Sequence, residues 1–257
     1  MTDKNNQATD TGVLKLIHCR RAGSIEYQQI ISSISHELRT PVAILKSNIQ
    51  FIKEFSLDME QEIKDESISM CEESIESIVV FLDNIQLINM AAKSQIKPSF
   101  SLFGLKQLMQ KVNVELKKQN LDFRRISIHW DMPFPDIYSD PTLIRQILIN
   151  LCSNSLKFSN GDVDLYLKST SRLLSIEIQD SGIGIPEEEI EFIFNPFHRA
   201  TNATWVPGYG LGLAIVSSLT DYLAGKIYLA SMVSQGTKIK IVIPCETSPD
   251  NLGSSLL

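Results

Sequence analysis

Two long apolar stripes lie back to back in the first hundred residues, and they limit the possible folds more than any other feature. In the first, Ile31, Ile34, Leu38, Val42, Leu45, Ile49 and Ile52 recur at steps of three or four, the period of one face of an α-helix. In the second, Cys71, Ile75, Ile78, Leu82, Ile85 and Ile88 or Asn89 do the same. Only the short polar stretch FSLDME separates them. Helices over residues 24–56 and 60–92 are therefore expected to form an antiparallel hairpin. A lone hairpin covers only one side of each stripe. A second copy would cover the rest, so the pattern predicts a homodimer built as a four-helix bundle.

After residue 93 the pattern changes. SQIKPSF (94–100) reads as a linker, with Pro98 ending helical structure. SLFGLKQLMQKVNVEL reads as a helix and ISIHWDM as a strand. DPTLIRQILINLCSNSLKF (140–158) reads as a helix capped by Asp140, with Pro141 in its first turn. DVDLYLKS and LLSIEIQD alternate like paired strands. LGLAIVSSLTDYLA reads as a helix, and KIYLASM with GTKIKIVIP as a closing hairpin. Residues 101–245 thus form a second, α+β domain. Residues 1–23 and those from Glu246 onward read as polar tails.

Composition removes some function classes. The net charge of −6 lacks the basic footprint of a nucleic-acid binder. No apolar run of 18 residues stands out, so no membrane-spanning helix is expected. The polar start MTDKNNQATDTG does not resemble a secretion signal. Cys19, Cys71, Cys152 and Cys245 are scattered without CxxC spacing. That suggests neither zinc nor a disulfide framework, and fits reduced thiols in a cytoplasmic protein.

SISHELRTP (Ser33–Pro41) places a histidine and a proline inside the first helix. Ile34 and Leu38 belong to the core stripe. His36 lies two residues from each, about 160° around the helix, so it should face water. Thr40, one turn on, shares that exposed face. Pro41 cannot donate to the carbonyl of Glu37, so a bend is expected just below His36. A solvated imidazole beside Glu37 is a competent nucleophile, because the carboxylate can accept one ring proton and leave the other nitrogen free.

Three stretches of the second domain point to a nucleotide. Asn150 and Asn154 lie four residues apart on one helical face, with Lys157 in the next turn. A neutral amide oxygen suits Mg²⁺ when phosphates supply the negative charge, and a lysine holds phosphate as a point charge. In DSGIGIP, Asp180 offers a fixed acceptor for an exocyclic amine, and Gly182 and Gly184 allow close backbone approach. GYGLGLAIV places Gly208, Gly210 and Gly212 at a helix start, where free N–H groups favour phosphate. The spacing is neither that of a dinucleotide-binding fingerprint nor that of a P-loop. HRATNATWVPGY (198–209) reads as a lid, from which Arg199 could meet a γ-phosphate. His18, His129 and His198 read as surface residues.

Taken in order, these stretches resemble the sensor histidine kinases of two-component signalling. SHELRTP resembles their H box, NLCSN with Lys157 the N box, DSGIG the G1 box, FNPFHR the F box and GYGLGL the G2 box, followed by QGT. The resemblance covers roughly residues 24–245. It implies a dimerisation and phosphotransfer hairpin, then an ATP-binding α/β sandwich of the gyrase and Hsp90 type. It implies His36 as phosphoacceptor, Glu37 as general base and Thr40 as a residue that helps dephosphorylate a partner. It implies Asn154 as Mg²⁺ ligand supported by Asn150, with Lys157 and Arg199 on phosphates. Asp180 would bind adenine, with Gly182 and Gly184 beside it. Gly208, Gly210 and Gly212 would shape the lid, and Gly236 and Thr237 would close the adenine side. Ser155 stands where alanine is frequent in that family. The implied partners are a second copy, a cognate response regulator and a separate sensor protein, unless the chain is the core of a longer sensor. Two rival readings use the same residues: an ATP-holding scaffold, and a regulator phosphatase with little kinase activity.

Overall fold

The computed structural model describes residues 14–17, 27–55, 60–131 and 136–245. The expected tails over 1–13, 18–23 and 246–257, with His18 and Cys19, lie outside the described residues, as do 56–59 of the polar break. Two compact units divide the chain, one of residues 20–95 and one of residues 1–19 with 96–257.

The first unit is a helical hairpin of α1 (Tyr27–Phe55) and α2 (Gln61–Ala92). Pro41 lies inside α1 and is buried. On α2 the buried residues are Ser67, Ser74 and Phe81, a seven-residue repeat that marks one column of a coiled-coil seam. The small serines let α1 approach closely. The Ser74 hydroxyl donates back to the Met70 carbonyl at 2.8 Å, which satisfies it inside the seam. The adjacent column, Ile68, Ile75 and Leu82, is 40, 52 and 48% exposed. The stripe read from the sequence is therefore split. Ile75 and Leu82 look outward, whereas Cys71, Ile78, Ile85 and Ile88 are half-buried.

Apolar residues on both columns have a further effect. Among the described residues, α2 is the helix long and apolar enough, by length and composition, to cross a membrane, and little of it is buried. The expectation that no stretch has that character does not hold for α2.

The second unit is an α/β fold. Its main sheet has six strands in the order β1-β7-β8-β6-β5-β3. These are β1 (Lys15–Ile17), β3 (Ile126–Asp131), β5 (Val163–Ser169), β6 (Leu173–Asp180), β7 (Lys226–Met232) and β8 (Gly236–Pro244). A two-stranded sheet pairs β2 (Ser101–Gly104) with β4 (Asp136–Ser139). Only β3 and β5 run parallel in the main sheet. Strand residues alternate, so Leu165, Leu167, Ile176, Ile178, Ile239 and Ile241 are buried. Tyr166, Glu177 and Lys240, which form one cross-strand row, occupy the other face. The helices α3 (Leu105–Lys118), α4 (Pro141–Phe158) and α5 (Gly212–Tyr222) contribute apolar faces to the core, including Val112, Leu116, Ile144, Leu148, Ile215 and Leu219.

Two elements differ from the sequence reading. SLFG is strand β2 rather than the start of a helix, because β4 supplies its backbone partners 35 or so residues downstream. Lys15–Ile17, read as part of a tail, pairs antiparallel with β7 through Lys15↔Leu229, Leu16↔Tyr228 and Ile17↔Ile227. Lys15 Nζ also meets Glu187 at 3.1 Å.

Candidate functional site

A hydrogen-bonded polar cluster sits where β6 ends. Asp180 terminates that strand opposite Thr237 of β8. Its Oδ1 accepts the Gly182 N–H at 3.0 Å and the Thr237 N–H at 3.2 Å. Its Oδ2 accepts the Ser155 hydroxyl of α4 at 3.1 Å. Burial pushes the Asp180 carboxyl above the ordinary aspartate range, and the bonds from Gly182, Ser155 and Thr237 oppose that shift. The glycines around it make room. A Cβ on Gly182 would strike the Phe158 carbonyl, and one on Gly184 the Met232 carbonyl. Gly236 has φ +103 and sits against the Asp180 carbonyl, so only glycine fits there without strain.

The amides form the second part. Asp140 caps α4 by accepting from the N–H groups of Thr142 and Leu143, and it also accepts from Ser99 N–H at 2.8 Å. The helix then presents Asn150 and Asn154 toward the start of α5. A Cβ built on Gly212 would lie 3.1 Å from Asn150 Oδ1 and 3.3 Å from Asn154 Oδ1. The two sequence motifs thus meet. Asn150 is braced by its Nδ2 bond to the Gln146 carbonyl at 2.8 Å. The first turn of α5 has no side-chain cap, so its leading N–H groups remain available to an anion. Lys157 emerges from the last turn of α4, and desolvation holds its pKa below the ordinary lysine value.

The lid residues are folded on themselves. Arg199 Nη2 donates to the carbonyls of Ala203, Thr204 and Val206. Its Nη2 therefore organises the lid, leaving Nε and Nη1 for anything else. Asn202 Nδ2 donates to the Gly184 carbonyl at 3.0 Å and joins lid to G1 turn. Trp205 is 66% exposed. Phe197 N–H donates to the Gly210 carbonyl at 3.0 Å, which closes the base of the lid, whereas the Cα of Gly208 borders open space.

On the hairpin, the His36 side chain is 73% exposed, with Nδ1 3.4 Å from Glu37 Oε1. Thr40 is exposed as well. Sequence reasoning missed three participants: Ser155 and Ser231, which bond within the Asp180 cluster, and Asn202. Of these only Ser155 left a signal, as a hydroxyl in place of an expected alanine.

Mg²⁺ can be tested against the donors present. Among the described residues no group of three or more His, Cys, Asp or Glu could hold a metal. The amide oxygens of Asn150 and Asn154 gather at the bare Cα of Gly212. Neutral oxygen donors of this kind fit a hard cation whose charge is met by phosphates.

This architecture defines a class, the ATP-binding α/β fold shared by several ATPases, here joined to a helical hairpin. Residues 139–247 match the family "Histidine kinase-, DNA gyrase B-, and HSP90-like ATPase". The sensor protein kinase WalK of Staphylococcus aureus is 30% identical over 235 residues, which cover 88% of this chain and 55% of that protein. Among solved structures, the Acinetobacter baumannii histidine kinase AdeS overlays with a TM-score of 0.62 at 23% identity, over 81% of this chain and 97% of that one. Histidine kinase ThkA, solved in complex with the response regulator protein TrrA, overlays with a TM-score of 0.58 at 22% identity, over 86% of this chain and 62% of that one. Residues 139–247 thus carry that ATPase domain, and the chain as a whole has the fold of a sensor histidine kinase catalytic core. It spans about half the length of the curated relative that it matches.

Proposed function

We propose that the protein is an ATP-dependent protein-histidine kinase that phosphorylates itself on His36 and passes the phosphoryl group to an aspartate of a response regulator. The observation that carries this reading is His36 itself. It is solvent-exposed, paired with Glu37, and set on a helix of a chain that also has the Asp180 and Asn154 clusters. An exposed nucleophile suits a residue that must receive a phosphoryl group and then give it away.

In the proposed reaction, Asp180 accepts from the adenine amine, with Gly182, Gly184 and Thr237 around the base. Lys157 and the free nitrogens of Arg199 meet the phosphates, and the start of α5 at Gly212 faces them. Gly208 and Gly210 shape the lid over the nucleotide. Asn154, supported by Asn150, would hold Mg²⁺, whose chemistry here is neutralisation of phosphate charge. His36 donates its Nδ1 proton toward Glu37, which leaves the Nε2 lone pair to attack the γ-phosphorus. The N–P bond forms, the bond to the bridging oxygen breaks, and ADP leaves. Glu37 takes the Nδ1 proton as positive charge builds on the ring. Thr40, one turn from His36, supports the reverse duty of dephosphorylating the regulator.

We also infer a cytoplasmic homodimer through the hairpin. The buried column Ser67–Ser74–Phe81 and the bare column Ile68–Ile75–Leu82 together have the two-sided pattern of a four-helix bundle. That arrangement also accounts for the apolarity of α2 without a bilayer. ThkA is solved with its regulator, which supports a regulator as the second partner here.

Purified protein with γ-labelled ATP and Mg²⁺, beside His36→Gln and Asn154→Ala, tests the kinase reading. The expected label is acid-labile, base-stable and absent from both variants. No label with ATP binding intact would move the assignment to the regulator-phosphatase or scaffold reading.

A further inference from the structure

The hydrogens around Asp180 can be counted. Oδ1 accepts two N–H groups, from Gly182 and Thr237, which uses both of its lone pairs. Oδ2 accepts only the Ser155 hydroxyl, so one lone pair stays open. Ser231 has a single hydroxyl hydrogen. Its oxygen donates to the Gly236 carbonyl at 3.0 Å and accepts the Ile185 N–H at 2.9 Å. With that hydrogen on the Gly236 carbonyl, Thr237 is the donor in the 2.8 Å contact between the Ser231 and Thr237 hydroxyls. The hydroxyl hydrogens of Ser155, Ser231 and Thr237 are in this arrangement committed within the protein. A visitor meets acceptors only: Oδ2 and the Ser155 and Thr237 oxygens.

From this count we infer that Ser155 is a specificity-determining positioning residue for the purine. Its hydroxyl commits one lone pair of Oδ2 and holds the other open, so that the cluster takes a 6-amino purine and refuses a 6-oxo purine. A donor amine completes the open valence, whereas a 6-carbonyl would put an unpaired acceptor against three others. The inference rests on the adenine reading of Asp180 given above. It goes beyond that reading, because alanine at position 155 could not supply this hydrogen. Ser155 is buried, so water cannot replace its hydroxyl without a change in packing.

The test is a titration of the full chain with Mg²⁺ and three ligands: ATP, inosine triphosphate, and purine riboside triphosphate, which lacks the 6-amine. Wild type, Ser155→Ala and Ser155→Cys are compared, with thermal melts to confirm folding. Cysteine keeps the volume with only a weak donor, which guards against loss of fold in the alanine variant. Wild type should prefer ATP to the 6-unsubstituted purine. Both variants should lose about tenfold in ATP affinity, the scale of one hydrogen bond to a charged group. They should lose nothing toward the 6-unsubstituted purine, and discrimination against inosine triphosphate should shrink. A wild type that does not distinguish ATP from the 6-unsubstituted purine overturns the adenine reading and the inference with it. A wild type that does, alongside variants that discriminate equally well, overturns the inference alone. An equal loss toward all three ligands would likewise assign Ser155 to packing.

Discussion

Gly212→Ala should separate folding from nucleotide binding. Gly212 is the first residue of α5 and has no left-handed backbone. Alanine there is conformationally acceptable and should stabilise by up to about 1 kcal/mol, through loss of unfolded-chain freedom. The added Cβ would lie 3.1 Å from Asn150 Oδ1 and 3.3 and 3.4 Å from the two amide atoms of Asn154. Those amides must withdraw by a few tenths of an ångström. Asn150 is tied to the Gln146 carbonyl, so the displacement falls on Asn154. The two contributions nearly cancel, and the melting temperature should move by less than about 4 °C, the shift worth 1 kcal/mol in a domain of this size. Nucleotide affinity should nevertheless fall about tenfold or more, because the proposed metal ligand is pushed off its position. Mg-ATP titrations followed by Trp205 emission in a Trp130→Phe background would read this. Unchanged affinity together with unchanged Mg²⁺ dependence would refute the convergence of the two amides on α5.

Other outcomes follow from the same geometry. Gly236→Ala should instead damage the fold, since strain at φ +103 and collision with the Asp180 carbonyl together exceed about 3 kcal/mol; a melt of the ATP-binding unit should show a drop of roughly 6–12 °C. Asp180 is raised by burial, so apo stability should decline as pH rises from below its ordinary value of 3.8 through the raised one, because the folded state holds the proton more tightly. ATP affinity should run the other way and be lost as pH falls through the raised pKa, a dependence that Asp180→Asn should flatten. Burial pushes the Cys152 thiol up to about 12, so a maleimide at pH 8 should modify Cys71 and leave Cys152 untouched until denaturant is added. Ile75→Glu with Leu82→Glu should halve the mass seen by light scattering while leaving ATP affinity intact; a dimer of unchanged mass would place the interface elsewhere.

Much of this was readable in the residues because the signals are local. Helical periodicity outlined α1 and α2, and the two asparagines four apart announced one face of α4. Asp140 before Pro141 marked the start of that helix, and both bonds of the cap are present. What escaped depended on distant partners. Leu102, Leu105, Leu108 and Met109 continue a helical spacing, so nothing in SLFG reveals that β4 will extend it into a strand. Three residues, Lys15–Ile17, are too few to show alternation, and their partner lies more than two hundred positions away. The sequence points Arg199 at phosphate but does not show that its Nη2 is held by lid carbonyls, because those come from a turn whose shape has no sequence signature. In the sequence Ser155 is only a serine where alanine is frequent, and it takes the approach of α4 to the end of β6 to show its hydroxyl at work.

The three-residue strand β1 also bears on how the protein can be handled. It pairs with Ile227–Leu229 at the centre of the outer edge of β7 (Lys226–Met232), whose backbone groups there would otherwise lack a strand partner. A version shortened to begin at Ser24, where the sequence opens the hairpin, would strip that cover. It would leave a long edge with Ile227 and Leu229 on one side and Tyr228 on the other, the kind of edge that recruits strands from other molecules. Poor solubility of such a version would then report a missing strand, and a synthetic peptide carrying LKLI would be the remedy to try before any change of buffer.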